Sequence, residues 1–84
     1  MFDYYFTFRS ITGAQQGERA LMKCGISANF LRTPKYLSHN GCGYCLRVRG
    51  RDLGGTFACF QREQVPYSRV YRIGGDGIAQ EVVP

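Results

Sequence analysis

Hydrophobic and polar positions change period along this chain, and each change marks a new element. Between Asp3 and Arg9, Tyr4, Phe6 and Phe8 alternate with Tyr5, Thr7 and Arg9, the period of two that a half-buried strand requires. From 13 to 24 the spacing lengthens to three or four. Ala14, Gly17, Leu21 and Cys24 then share one side, which predicts an amphipathic helix. Ser10 or Thr12 can cap its start, Thr12 with Gln15 at capping-box spacing, and Gly25 can end it in a left-handed conformation. Ile26, Ala28 and Phe30 return to period two, a second strand ended by Thr33-Pro34 because proline has no N–H for the ladder.

The stretch Pro34 to Gly41 follows neither period. It predicts a loop of about ten residues, longer than the usual connection of about 4–6, and long loops are where function concentrates. Tyr44, Leu46 and Val48 then alternate with Cys45, Arg47 and Arg49, a third strand with one apolar and one basic face. Asp52 can cap a second helix that carries Leu53, Phe57 and Phe60, although Gly54 and Gly55 each cost it about 1 kcal/mol. Val65-Pro66 ends that helix, and Ser68 to Ile73 reads as a fourth strand. The Gly74-Gly75-Asp76-Gly77 run makes 74–84 a flexible tail, with Ile78, Val82 and Val83 available to dock.

The order βαββαβ over residues 1–73 predicts one α+β domain, a ferredoxin-like sandwich with an antiparallel sheet and both helices on one face. Tyr5, Thr7, Cys45, Arg47 and Arg49 would lie on the uncovered face, where a homodimer partner or another protein could dock.

A chain of 84 residues allows one modest core, and its hydrophobic fraction of 44% is ordinary for a globular protein. No run approaches the roughly 18 apolar residues of a membrane span, and the first residues lack the features of a secretory leader, so a cytoplasmic protein is expected. The net charge of +5 favours anionic partners. Nucleic acid is not the expected one: Arg47-Val48-Arg49-Gly50-Arg51-Asp52 does not reproduce the glycine and aromatic pattern of the RNA-recognition motif. The four cysteines sit among segments able to form a core without staples, so reduced thiols are expected.

The candidate chemistry centres on Cys42, within Gly41-Cys42-Gly43-Tyr44-Cys45. Gly41 and Gly43 leave its sulfur approachable and shape the loop, Lys35, His39 and Arg47 are near enough in sequence to favour a thiolate, and Ser38 can donate a hydrogen bond. The bland alternative is a small buried residue at the start of a strand. Cys42-x-x-Cys45 has redox spacing, but its second cysteine opens a strand rather than following the start of a helix, so Cys45 is at most a resolving thiol. A zinc site would need His39, Cys24 or Cys59 as further ligands. Cys24 and Cys59 read instead as structural residues of the helices, and no metal is expected.

Phe8-Arg9-Ser10, Ala14, Glu18, Leu21, Gly25-Ile26, Thr33-Pro34-Lys35-Tyr36-Leu37-Ser38, Gly41-Cys42-Gly43, Leu46-Arg47 and Tyr71-Arg72-Ile73 together resemble the selenium/sulfur (Se/S) carrier protein-like family. The Thr-Pro-x-x-Leu-Ser loop running into Cys-Gly is the most specific part. The resemblance implies a small bacterial α+β protein whose characteristic cysteine, matched by Cys42, carries sulfur or selenium covalently. It implies no other cofactor. It also implies a cysteine or selenocysteine desulfurase-type donor and a selenophosphate synthetase-like or other sulfur-accepting partner. Cys45 departs from the family pattern, where a small or aliphatic residue is expected. The resulting expectation is a carrier rather than an enzyme; the alternatives are an interaction or regulatory module using the open sheet face, and a dithiol redox protein.

Overall fold

A computed structural model describes residues 2–34, 37 and 43–82. Its elements are β1 (Asp3–Phe8), α1 (Ile11–Lys23), β2 (Ala28–Arg32), β3 (Tyr44–Arg49), α2 (Leu53–Glu63), β4 (Tyr67–Ile73) and β5 (Ala79–Val82), with a 3-10 turn at Gly50–Asp52 leading into α2. The strands form one antiparallel sheet in the order β2-β3-β1-β4-β5. Since β2 and β1 both run against β3, and β3 and β4 both run against β1, each helix joins two parallel strands across a third.

The expectation of a four-stranded sandwich is thus corrected to a five-stranded α+β sheet. Residues 79–82, read from composition as tail, pair with Val70–Ile73 as β5. The glycines of 74–77 serve as the reversal that makes this possible: Gly77 adopts φ 76° and its N–H donates to the Gly74 carbonyl at 3.0 Å. Arg69 then meets Glu81 across the strands at 3.3 Å.

Local chemistry sets the helix ends. Ser10, not Thr12, caps α1: its hydroxyl accepts the Gly13 N–H at 3.1 Å, so the helix begins two residues earlier than the pattern suggests. At the other end, Gly25 at φ 73° lets its own N–H reach the Met22 carbonyl at 3.2 Å and the Ile26 N–H reach Leu21 at 2.9 Å, the two bonds of a Schellman motif. Asp52 makes no side-chain cap bond to α2; its carbonyl instead accepts from Thr56 Oγ1 at 2.8 Å.

Both helices pack on the same side of the sheet. Phe6, Phe8, Leu46, Val48 and Val70 from the strands meet Ala14, Ala20, Leu21, Cys59 and Phe60 from the helices in one core. Gly17 lets α1 approach closely, since a Cβ there would fall 2.9 Å from Leu46 Cδ1 and 3.0 Å from Phe8 Cζ.

The seam between the helices corrects the expectation of reduced thiols. Cys24, at the C-cap of α1, and Cys59, within α2, form a disulfide with Cα atoms 6.5 Å apart. Both positions had the marks of core residues, and nothing in a separation of 35 along the chain signals that the two helices bring them together.

Candidate functional site

The β2–β3 connection leaves and rejoins the sheet at one fixed point. The Thr33 N–H donates to the Gly43 carbonyl at 2.9 Å, continuing the β2–β3 ladder one step beyond the pair Arg32 and Tyr44. Within the connection, the Leu37 N–H donates to the Pro34 carbonyl at 2.9 Å, and Leu37 is only 3% exposed although it is not part of the helix-side core.

Beside this base lies an arginine that sequence reasoning missed. Arg32 stands over the Tyr44 ring, its guanidinium carbon 5.6 Å from the centroid, and one of its terminal nitrogens lies 3.9 Å from the point a Cβ on Gly43 would occupy. Tyr44 in turn stacks on Phe30 at 5.3 Å, so the cation rests on a packed aromatic pair. Position 32 falls at the polar end of the strand Ala28–Arg32, and only the strand register shows that it borders Gly43.

Of the residues expected at the site, Gly43 is exposed at the loop base. Cys45 is fully buried, on the sheet face away from the helices and opposite Thr7 and Leu31. Arg47 lies further along that face, donating from Nη2 to Asn29 Oδ1 at 3.1 Å. It lines a cleft of about 300 Å³ with Asp3, Ser27, Asn29, Arg49 and Arg51, at the far end of β2 and β3 from the loop. Cys42, Lys35, Ser38, His39 and Gly41 lie outside the described residues.

The expected open sheet face is therefore of two kinds. Near the loop, Thr7 and Cys45 are buried; towards the other end, Arg49 and Asn29 are exposed and the surface is basic. Among the described residues no three metal-ligating side chains come close enough to hold an ion, and Cys45 is separated by the sheet from Cys24 and Cys59 on the helix side. No helix among them is long and apolar enough to cross a membrane.

A family model described as "Putative Se/S carrier protein-like" matches residues 3–72. The chain belongs to that family. The matched span runs from β1 into β4 and contains the whole β2–β3 connection with its Cys42. No curated protein and no solved structure matches the chain.

Proposed function

We propose that the protein is a thiol-based carrier of sulfur or selenium, with Cys42 as the accepting residue. The family match, spanning the loop that holds Cys42, carries this reading. In the proposed step the Cys42 thiolate attacks the outer chalcogen of a donor cysteine persulfide or its selenium counterpart. The donor's S–S or S–Se bond breaks, the donor leaves as a thiolate, and Cys42 keeps the chalcogen with no net oxidation. A desulfurase-type enzyme fits as donor, and a selenophosphate synthetase-like protein or another sulfur acceptor as recipient.

The base of the loop supports such chemistry electrostatically. Arg32 holds a fixed positive charge beside Gly43, the neighbour of Cys42 in sequence, and a nearby cation favours thiolate over thiol. Arg32 thereby joins Lys35 and His39 as a source of positive charge, while Arg47 is engaged with Asn29. Gly41, Gly43 and Ser38 keep their proposed roles in loop shape and hydrogen bonding, and Cys45 that of a resolving thiol.

Intact-protein mass spectrometry after incubation with a desulfurase and cysteine or selenocysteine tests the reading. A one-atom sulfur or selenium adduct present in wild type and Cys45→Ala, and lost in Cys42→Ala, is the expected result. An unmodified wild-type chain, or an adduct that survives Cys42→Ala, sinks it. Loss of two hydrogens requiring both Cys42 and Cys45 would point to a dithiol instead.

A further inference from the structure

The seam between α1 and α2 holds the Cys24–Cys59 disulfide, which the carrier reading does not use. The two bonded sulfurs sit in opposite surroundings. Cys59 is 2% exposed, and its Sγ lies 3.3 Å from the Ala20 carbonyl oxygen, an acceptor suited to a protonated thiol and hostile to a thiolate. Cys24 is only half-buried, and Arg62 Nη2 approaches its Sγ to 2.9 Å. The same guanidinium reaches Glu63 through Nε at 3.4 Å, and Lys23 holds that carboxylate from α1 at 3.0 Å.

A thiolate at Cys24 would meet two opposed effects. The C-terminus of α1 disfavours negative charge, but the last-turn carbonyls of Leu21 and Met22 are already occupied by the Schellman bonds. A guanidinium in direct contact favours the anion more strongly, since charge-assisted hydrogen bonds are about twice as strong as neutral ones. On the same seam, a cleft of about 310 Å³ is lined by Gln16, Arg19, Ala20, Lys23, Glu63 and Val65, next in sequence or by contact to both cysteines but not lined by them. Arg19 and Lys23 on the cleft and Arg62 at Cys24 Sγ outnumber the single carboxylate of Glu63, so the surroundings of the pair favour an anionic reagent.

We propose that Cys24–Cys59 is a thiol–disulfide exchange site for anionic low-molecular-weight thiols, with Cys24 as the sulfur attacked and Cys59 as the sulfur released. An incoming thiolate bonds to Cys24 Sγ, the Cys24–Cys59 bond breaks, and Cys59, released as a thiolate, takes from water the proton that the reagent thiol gave up on ionising and then donates to the Ala20 carbonyl. A second thiolate then attacks the small-molecule sulfur of the mixed disulfide, and Cys24 departs as a thiolate beside Arg62. Two thiols have been oxidised to one disulfide and the pair reduced by two electrons; a small disulfide drives the reverse reaction.

The experiment uses the full chain carrying Cys42→Ala and Cys45→Ala, so that it reports on this pair alone and its outcome is separate from that of the carrier reading. Oxidised protein is treated with mercaptopropionate or cysteamine, similar in size and opposite in charge, and rates are compared per unit of thiolate. Mercaptopropionate is expected to react several-fold faster at low salt, with the gap closing as salt is added. The trapped mixed disulfide is expected on Cys24. In the reduced protein Cys24 should alkylate at lower pH than an ordinary thiol, and Arg62→Gln should move that profile upward. Because Arg62 is exposed, its replacement leaves the packed core untouched, and the shift reports on the contact with Cys24. Resistance to both thiols until denaturant is added, a mixed disulfide on Cys59, equal rates for the two reagents at low salt, or an unmoved profile in Arg62→Gln would each overturn the proposal.

Discussion

On the helix side of the sheet, Phe6 meets Phe57, Phe60 and Tyr67 edge-on at 5.5, 5.2 and 5.3 Å; on the other side, the same strand offers Tyr5 beside Arg47 of β3. Alternate residues of one strand therefore serve two different purposes. The aromatic side is dry and interlocked, and its Phe30–Tyr44 stack lies next to the base of the β2–β3 loop. The arginine-bearing side is wetter away from the loop, where its hydrogen bond from Arg47 to Asn29 is exposed to solvent, while Thr7 and Cys45 nearer the loop are buried. Stability should reside in the first and recognition in the second.

Truncation is the most direct way to break this contrast. Phe6→Ala removes a fully buried ring and its three edge contacts, and should destabilise the fold by about 3–5 kcal/mol. Arg47→Ala on the opposite face should change stability by no more than about 0.5–1 kcal/mol, because an exposed charged hydrogen bond contributes little. Urea unfolding of the two variants checks the pair. Comparable losses would mean that the two faces do not divide the work as described.

Crowding gives the next largest effect. Gly17→Val would place a branched side chain where even a Cβ comes within 3.0 Å of Leu46 and Phe8, both fully buried and without room to retreat. Overpacking of this kind costs about 1–3 kcal/mol, against which the improved helix propensity returns only about 0.5 kcal/mol. A variant as stable as wild type in thermal unfolding would show that α1 can lift from the sheet without loss.

The aromatic side was also the more legible one in the sequence. Tyr4, Phe6 and Phe8, like Leu46 and Val48, carry their period openly, because one uninterrupted face is buried against the helices. Strand β5 was hidden because Ala79-Gln80-Glu81-Val82 has weak strand character and gains its place from pairing with β4. The Ser10 cap was decided between two suitable hydroxyls by geometry that spacing does not encode. Arg32 and the Cys24–Cys59 pair were missed for a common reason. Each depends on which residues become neighbours across elements, and periodicity within an element is silent about that. The resemblance carried by the Thr-Pro-x-x-Leu-Ser loop and its Cys-Gly, in contrast, is local in sequence, and the family match bears it out.

The smallest effect concerns the seam that joins the two helices at the protein surface. The Lys23 ammonium, and after it the Arg62 guanidinium, hold the Glu63 carboxyl below the usual carboxylate range. A carboxyl whose pKa is lower in the folded than in the unfolded chain stabilises the fold above its unfolded value, near 4.5, and that contribution fades as pH falls through the folded value. Wild type should therefore lose a small increment of stability below about pH 4.5 that Glu63→Gln, which has no charge to lose, does not. The carboxylate is half-buried at the surface between two exposed cations, and salt screens such pairs, so the difference should shrink further in high salt. Denaturant midpoints measured against pH for the two proteins provide the check. Parallel curves would remove Glu63 from the seam and leave Arg62 to face Cys24 without a competing carboxylate.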